Sequence, residues 1–286
     1  MTSKNSKNIY LKLKDYSVSK EDFELIENSE FGFLETKPRP SLDRLPEYYL
    51  SEDYISHTDA KRNIFEKLYH LVKLFALKRK LHLINSFNTE SKKLLDVGCG
   101  TGDFLQVAKS NSWEVVGIEP NNEARKLANK KTDQAVFNSE NLFKLKQNSF
   151  DVITLWHVLE HVQNLEDQIA TFKKLLKPNG VLVIAVPNYK SYDARFYKSF
   201  WAAFDVPRHL WHFNKESIRN LFSKFGMQVI KIRPMLFDAF YVSLLSEKYK
   251  TGKMNFVKGF YVGLLSNLKS IRTKESSSLI YIIKKN

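Results

Sequence analysis

The chain contains a single cysteine, Cys99, among its 286 residues. One cysteine excludes a disulfide within the chain and any metal site built from several thiolates. No run of about 18 or more apolar residues occurs, so the sequence predicts no membrane-spanning helix. The basic N-terminal stretch lacks the apolar core of a secretory signal, and we therefore expect a cytoplasmic protein.

The charge is one-sided, with 45 Lys and Arg residues against 31 Asp and Glu residues and a formal net charge of +14 at pH 7. Nucleic-acid-binding proteins often have such an excess. Here, however, the basic residues are mostly lysines spread along the whole chain, without an arginine cluster or interleaved aromatic and basic residues. This pattern disfavours a nucleic-acid partner and leaves an anionic small molecule or an acidic membrane surface open.

Hydrophobic residues make up 43% of the chain and charged residues 27%, as in globular proteins. From Leu94 onward, short apolar runs alternate with amphipathic segments, which predicts an α/β domain with a mostly parallel, doubly wound sheet. We place this domain at residues 91–286. Its seven predicted strands are KLLDVG, WEVVGIE, DQAVF, FDVITLW, GVLVIAVP, MQVIKIRP and SSLIYIIKK.

Four further segments complete the expected organisation. Residues 1–58 are predicted to be a small irregular N-terminal segment, and residues 59–90 to form basic amphipathic helices. Within the domain we expect a substrate lid at 188–214 and a helical insertion at 236–272. Burial within the chain is the expected role of the insertion's apolar faces, while lid closure, a dimer or peripheral contact with a membrane stay open. The sequence leaves the oligomeric state undetermined.

The segment LLDVGCGTGDFL has the strand–loop–helix order of a nucleotide-binding turn. Its three glycines, Gly98, Gly100 and Gly102, give G-x-G-x-G, and Asp103 stands where the dinucleotide fingerprint has its third glycine. A carboxylate at the start of a helix opposes a pyrophosphate there, which disfavours a nicotinamide oxidoreductase. The loop instead fits a cofactor that the backbone approaches closely and that has no phosphate.

Carboxylates end the first two predicted strands. Asp96 ends the first, where it would face a cationic or hydroxyl-rich ligand, and Glu119 in VVGIEPN ends the second. A carboxylate in the place of Glu119 can accept hydrogen bonds from both hydroxyls of a ribose.

Together, DVGCGTG, GIEPN, FDVITLWHVLEHV and LLKPNGVLVIAVPN resemble the class I S-adenosylmethionine-dependent methyltransferases over residues 91–286. The resemblance implies a Rossmann-like, doubly wound sheet of seven strands whose last strand is antiparallel, with S-adenosylmethionine as the cofactor. Asn138 stands where the family often has an Asp that contacts adenine. The residues that the resemblance assigns to the cofactor are Asp96, Gly98, Cys99, Gly100, Thr101, Gly102, Glu119, Pro120, Asn138, Ser139, Trp156 and His157.

The stretch WHVLEHV contains H-x-x-E-H, the spelling of the inverted zinc-protease motif. Because it begins where the strand FDVITLW ends, we interpret it as part of the cofactor cleft. His157 and His161 are then candidates for the catalytic base. In ubiquinone-type O-methyltransferases, which this stretch resembles, E-x-x-E-H binds a divalent ion. Glu160 and His161 match, but His157 replaces the first Glu, so a metal site, a metal-free base and a purely structural role all stay open.

The predicted lid is rich in aromatic and charged residues, which is unusual for a loop that only connects two elements. We expect substrate contacts from Asp205, Arg208, Trp211 and His212, with Arg208 suited to a carboxylate or a phosphate. His209 is a further candidate base. The alternative is an aromatic loop that packs on its own domain.

Two acceptor classes lack their motifs. Enzymes that methylate amines usually have N/D-P-P-Y/F after the fourth strand, where this chain has LWHV. Methylation of cytosine at C5 needs a cysteine nucleophile, and the single cysteine, Cys99, lies inside the glycine loop. We therefore expect methyl transfer to an oxygen or carbon of a small-molecule or lipid-like acceptor, activated by a histidine base. An RNA-directed methyltransferase and a non-catalytic S-adenosylmethionine-binding protein are the alternatives.

The N-terminal segment resembles a region that precedes this domain in a bacterial methyltransferase group. There, C-x-x-C-G-F helps to form a zinc ribbon. Here Asn28 and Phe31 occupy the cysteine places, followed by Gly32 and Phe33. We therefore expect a ribbon-like segment held by packing instead of zinc, and Tyr54 as a further contact to the cofactor's carboxylate.

Overall fold

The computed structural model describes residues 8–41, 43–49 and 64–286, with side chains from residue 71 onward in the last of these ranges. The prediction for Tyr54 lies outside the described residues. The largest element is a seven-stranded sheet. Its strands are β4 (Lys93–Val97), β5 (Glu114–Ile118), β6 (Val136–Phe137), β7 (Phe150–Trp156), β8 (Leu176–Pro187), β10 (Met227–Met235) and β11 (Ser278–Lys285).

The strands follow one another across the sheet in the order β10-β11-β8-β7-β4-β5-β6. From β8 to β6 all pairs are parallel, whereas β11 runs antiparallel to both β10 and β8. The expected doubly wound, Rossmann-like sheet with an antiparallel last strand is therefore confirmed. β7 lies in the middle, and all of its residues but Trp156 are buried, as its continuous apolar sequence predicts.

Helices cover both faces of this sheet, and several of them begin at polar caps. The side chain of Asn121 accepts a hydrogen bond from the Ala124 N–H, and Asn214 forms a capping box with Ser217. The helices that follow β4, β5 and β7 are α2 (Asp103–Lys109), α3 (Asn122–Thr132) and α4 (Leu165–Leu175), and α6 (Lys215–Lys224) follows the predicted lid. A longer helix, α1 (Ile64–Asn85), precedes β4 and contacts α2.

The N-terminal segment is not irregular, which corrects the expectation. It contains β1 (Ile9–Lys14), β2 (Asp22–Glu27) and β3 (Leu34–Lys37), and β9 (Trp211–His212) from the predicted lid pairs with β3 to complete a four-stranded antiparallel sheet. The physical reason is the alternation of buried and exposed residues along β2 and β3, which is typical of strands with one face on a core.

The turn that replaces a zinc knuckle is held by an amide side chain and aromatic packing. Asn28 Oδ1 accepts hydrogen bonds from the backbone N–H groups of Glu30 and Phe31 at 3.0 and 2.9 Å. The ring of Phe31 stacks on that of Phe33, with 5.6 Å between the centroids. Hydrogen bonds to Asn28 and the stacked rings of Phe31 and Phe33 therefore hold this turn.

Two helices follow β10, α7 (Asp238–Thr251) and α8 (Phe256–Thr273), and they pack against each other and against α5 (Tyr192–Tyr197) of the lid. Within the described ranges, no helix is both long and apolar enough to cross a membrane.

Candidate functional site

The residues predicted to bind the cofactor lie at the carboxyl ends of four neighbouring strands. The glycine loop follows β4, Glu119 and Pro120 follow β5, Asn138 and Ser139 follow β6, and Trp156 ends β7. Because β7, β4, β5 and β6 are adjacent and parallel, these ends meet at one edge of the sheet. The structure therefore brings the predicted set together.

The glycine loop is shaped by two positions where a side chain would collide. Gly98 has φ +69°, and a Cβ there would lie 2.4 Å from Val158 Cγ2. Gly102 has φ +76°, and a Cβ there would lie 2.8 Å from the Ala128 Cα. Both need glycine. Gly100, by contrast, has nothing within 4 Å of such a Cβ, so open space lies above the middle of the loop.

Asp96 is buried below this loop and accepts a hydrogen bond from Thr154 Oγ1 at 2.6 Å. Burial raises the pKa of Asp96 to about 6, although the Thr154 hydroxyl and the Lys80 ammonium both favour the carboxylate. At pH 7 the group is therefore mostly ionised and presents a negative charge at the cleft.

Glu119 is also buried and is fixed by two backbone donors. Its oxygens accept from the Gly100 N–H and the Asn121 N–H, both at 2.8 Å. Burial nevertheless raises the pKa of Glu119 above its usual value. Each carboxylate oxygen has further acceptor capacity, so two ligand hydroxyls remain within its chemical reach.

Lys80 of α1 was not anticipated from the sequence. Its ammonium lies 4.4 Å from the centroid of the Trp156 ring. The carboxylates of Asp96 and Asp238 attract this ammonium. Burial lowers the pKa of Lys80, against those two carboxylates. The side chain thus places a cation in the cleft where a cationic cofactor would compete for Asp96.

The other predicted cofactor residues differ in what they offer. Cys99 is partly buried, and burial raises the pKa of its thiol well above the usual range, so it stays protonated. Thr101 Oγ1 donates to Asp103, whose charge Lys73 and Lys131 neutralise at 2.7 Å each. Pro120 and Ser139 are exposed, and Asn138 is partly buried at the end of β6.

His157 is held between two carboxylates. It has φ +57°, its Nε2 lies 3.0 Å from Asp238 Oδ2, and its Nδ1 lies 3.4 Å from Glu160 Oε1. Burial disfavours the imidazolium, but Asp238 and then Glu160 outweigh it and raise the pKa of His157 to about 10. The ring is therefore a cation at neutral pH, which does not suit the base role expected from the sequence.

His161 has the opposite state. Its Nδ1 lies 3.0 Å from the Arg208 carbonyl oxygen, which can only accept a hydrogen bond. The proton of the neutral ring is therefore on Nδ1, and Nε2 is unprotonated. Burial and the neighbouring His209 lower the pKa of His161 to about 4. The ring is therefore neutral at pH 7. Tyr49, which the sequence analysis did not single out, lies with its hydroxyl 3.3 Å from the same Nδ1.

Glu160, His161 and His209 form a cluster whose possible ligand atoms lie within 4.8 Å of one another. Both carboxylate oxygens of Glu160 are buried without a well-formed hydrogen bond. His209 Nδ1 lies 2.9 Å from the Ala203 carbonyl oxygen, which can only accept, so Nδ1 is the donor and Nε2 is the nitrogen that could bind an ion. One carboxylate and two carbonyl-oriented imidazoles fit a divalent transition ion better than Mg²⁺.

The lid residues expected to touch the substrate are instead engaged within the fold. Arg208 is buried, donates to Asp205, to Asp15 at 3.1 Å and to the Tyr48 carbonyl at 2.7 Å, and contacts Ser17. It therefore joins the lid to the N-terminal segment, in contrast to the anion clamp that was expected. Asp205 is its ionic partner, and Arg208 helps to hold the pKa of that carboxyl low against its burial.

His212 and Trp211 have similar structural roles. The Thr36 hydroxyl donates to the His209 carbonyl at 2.6 Å, so His212 Nε2–H must be the donor across the 2.9 Å to Thr36 Oγ1. Trp211 Nε1 donates to the Val162 carbonyl at 2.7 Å, and its ring lines a groove of about 360 Å³ beside α4. Both side chains make hydrogen bonds within the fold, and their role in substrate binding stays a prediction.

Three residues of the site were missed because their roles depend on contacts between distant segments. Thr154 lies inside a strand that reads as purely apolar, Lys80 is one of many lysines on an amphipathic helix, and Asp238 starts a helix 81 positions after His157. The one available signal was the threonine itself, because a polar side chain in a buried strand needs a hydrogen-bond partner.

A family model described as "Methyltransferase domain" matches residues 61–232, which is more than half of the chain. Curated relatives match shorter stretches. The ubiquinone biosynthesis O-methyltransferase of Photobacterium profundum is 32% identical over 110 residues, covering 35% of this chain and 47% of that protein. The mitochondrial ubiquinone biosynthesis O-methyltransferase of Rattus norvegicus is 30% identical over 164 residues, covering 52% and 48%. The chain spans about half the length of the curated relatives it matches.

Solved structures share the fold. A SAM-dependent methyltransferase from Archaeoglobus fulgidus has a TM-score of 0.51 and 19% identity, covering 73% of this chain and 93% of that chain. The magnesium protoporphyrin IX methyltransferase of Synechocystis PCC 6803, solved with bound SAH, has a TM-score of 0.52 and 14% identity, covering 85% and 94%. At these identities the likeness concerns the fold alone.

Proposed function

Because the chain belongs to the methyltransferase-domain family, we propose that it transfers a methyl group from S-adenosylmethionine to an oxygen, or a carbon, of a small-molecule or lipid-like acceptor. The family and its cofactor, both expected from the sequence, are confirmed by that membership. The observation that supports the transfer is the open space above Gly100, bounded by the carboxylates of Asp96 and Glu119 and followed along the edge by three histidines.

The cofactor is proposed to lie across the glycine loop. Glu119 would accept hydrogen bonds from the two ribose hydroxyls, Asn138 would contact the adenine, and Asp96 would attract the cationic methionine part. The Trp156 ring already faces a cation, the Lys80 ammonium, so it would face the cationic sulfur equally well. These contacts position the methyl group for in-line attack, and such positioning is worth about 7–11 kcal/mol.

The two histidines of WHVLEHV are proposed to have different tasks. His161 Nε2 takes the proton from the acceptor, whose oxygen then forms a bond to the methyl carbon while the carbon–sulfur bond breaks. The electron pair of that bond goes to sulfur, which leaves S-adenosylhomocysteine. The His157 imidazolium stabilises the acceptor oxygen as its charge develops.

The low pKa of His161 limits which acceptor groups it can deprotonate. A base whose conjugate acid has a pKa of about 4 takes a proton readily only from an acidic group. We therefore propose an acceptor with an acidic hydroxyl, such as a phenol, rather than an aliphatic alcohol; a carboxylic acid is already ionised at pH 7 and would need no base. The printed name of the curated relatives, O-methyltransferase, agrees with an oxygen acceptor.

A divalent ion is an alternative to the base, because an ion bound to His161 Nε2 would leave that nitrogen unable to take a proton. Glu160, His161 and His209 would hold it, and the ion would supply Lewis-acid polarisation of the acceptor oxygen. The protein's own part is to keep both imidazoles in one tautomer through the carbonyls of Arg208 and Ala203.

The test is calorimetric titration of the purified protein with S-adenosylmethionine, with NADH as the control. Micromolar binding of the former alone supports the proposal, and its absence in folded protein refutes it. Transfer is then assayed with phenols, carboxylic acids and aliphatic alcohols, with and without Zn²⁺ and Mg²⁺. Binding without transfer to any acceptor would favour a non-catalytic protein, and salt-dependent RNA binding with transfer would favour an RNA-directed enzyme.

A further inference from the structure

Helix α8 has the reverse of the usual amphipathic pattern. The face that packs against α7 and α5 consists mainly of small residues, including Gly259, Gly263, Ser266 and Ser270. A Cβ on Gly263 would lie 2.9 Å from the Ala239 carbonyl oxygen, so the two helices are in close backbone contact. The large apolar side chains point outward instead, at Val257, Phe260, Tyr261, Leu264, Leu268 and Ile271.

This outward stripe continues onto neighbouring elements. Leu236 and Phe237 are exposed just before α7, and the Phe237 ring meets that of Phe75 of α1 with 5.6 Å between centroids. Leu71 and Leu74 of α1 are exposed beside Phe75. We call the α8 stripe with Leu236, Phe237, Leu71, Leu74 and Phe75 the apolar face. A patch of this kind marks an interaction surface, because a monomer in water rarely leaves so many large apolar residues exposed together.

The charge around the apolar face has one sign. Residues 236–274 contain seven basic residues and two acidic ones, Asp238 and Glu247. Both acids are turned inward, since Asp238 contacts His157 and Glu247 is fully buried next to Lys258. Solvent therefore meets a large apolar stripe flanked by lysine and arginine.

We propose that the apolar face docks onto a membrane surface that contains anionic lipids. Apolar side chains with basic residues at their rim are the composition of helices that lie in the headgroup region. A second copy of the chain would bring the same positive charge against itself, which disfavours self-association. A partner protein would need an acidic rim to match.

The apolar face lies next to the histidine site, so docking on a membrane would bring that site close to the lipid. Asp238 follows Phe237 directly and contacts His157, so the face adjoins the rim of the histidine site. A lipid-like acceptor would then reach the site from the membrane without crossing water. This consequence rests on the proposed function, whereas the docking itself does not.

The experiment is co-sedimentation of the full chain with vesicles of phosphatidylcholine alone and with added phosphatidylglycerol. We expect binding to the anionic vesicles and a loss of at least about tenfold in the pair Val257→Gln and Ile271→Gln, which removes the two most exposed apolar residues of the stripe, at 83% and 67%. The matched control is Ile230→Gln with Ile9→Gln, exposed apolar residues outside the face.

A charge variant gives a second measure that does not disturb apolar packing. Lys253→Gln with Arg272→Gln should weaken binding to anionic vesicles severalfold, whereas Lys130→Gln with Lys174→Gln should not. The proposal is overturned if wild type ignores anionic vesicles, or if the apolar pair binds them as wild type does. It is also overturned if sedimentation shows a dimer that the apolar pair breaks while vesicle binding persists. Calorimetry with S-adenosylmethionine on the same variants separates a failed membrane surface from a failed cofactor site.

Discussion

Cofactor affinity should depend on pH through Asp96. This carboxylate is buried, and its pKa of about 6 is the result of burial, opposed by the Thr154 hydroxyl at 2.6 Å and by Lys80. Protonation removes the charge that attracts the cationic methionine part. Because Asp96 must be ionised to attract the cofactor, the affinity should change little above pH 7 and fall about fivefold between pH 6 and pH 5, or about tenfold between pH 7 and pH 5.

Thr154→Val moves that midpoint in a known direction. The hydroxyl stabilises only the ionised carboxylate, by about 1.5–3 kcal/mol for a bond to a charged group, which is roughly 1–2 pKa units. Without it the pKa of Asp96 rises, and cofactor binding should be half lost at about pH 7 to 8 instead of about pH 6. Calorimetric titration with S-adenosylmethionine from about pH 5 to about pH 9 measures both midpoints, and Asp96→Asn should give weak, pH-independent binding.

The stability of the folded protein should depend on the ionisation of Asp96 in the opposite direction to cofactor affinity. The folded-state pKa lies above the ordinary value of 3.8, so ionisation of Asp96 destabilises the fold at neutral pH by up to about 3 kcal/mol, and stability returns as pH falls from 6 towards 4. Asp15 and Asp103, whose pKa values are lowered to about 2, lose their stabilising effect only below pH 4. Asp96→Asn should therefore be the more stable protein at pH 7 in thermal unfolding. An Asp96 that neither changes affinity at pH 5 nor destabilises at pH 7 would refute the reasoning.

Two further predictions concern the same cleft. Glu119→Ala should weaken S-adenosylmethionine binding at least about tenfold, since each bond to a charged carboxylate is worth about 1.5–3 kcal/mol; the exposed Glu123→Ala is the control, and an unchanged dissociation constant would defeat the ribose assignment. Lys80→Met keeps the aliphatic stem over Trp156 but removes the ammonium, and relief of about 1 kcal/mol of like-charge repulsion should tighten binding about fivefold. Weaker binding by Lys80→Met would mean that the ammonium contacts the cofactor's carboxylate instead.

The parallel sheet and the cofactor residues could be predicted because their signals are local. FDVITLW is a mostly apolar run bounded by turn residues, which favours a buried strand of this length. The glycines of the loop form a short sequence pattern, although the side chains that would collide with a Cβ at Gly98 and Gly102 belong to the distant Val158 and Ala128. The apolar run and the glycine pattern each lie within a short stretch, so the sequence alone contains them.

The roles of the lid could not be predicted, because they depend on contacts between distant segments. Arg208 is a natural anion clamp in sequence, but Asp15 lies 193 residues earlier and neutralises it in the fold. The N-terminal strands appeared irregular because they are short, and one of their partners, β9, is only two residues long and belongs to the lid. Neither pairing leaves a periodic signal in the chain.

The proposed acceptor site is thus assembled by the additions to the sheet rather than by the sheet itself. His157 and His161 come from the same strand end, yet Asp238 of the insertion makes the first a cation, while burial and His209 of the lid keep the second neutral. The lid also fixes the tautomer of His161, through the Arg208 carbonyl. Two identical side chains four positions apart are therefore given opposite charge states by segments that a methyltransferase sheet does not require. Changes in the insertion or the lid can alter acceptor chemistry while the cofactor edge stays intact.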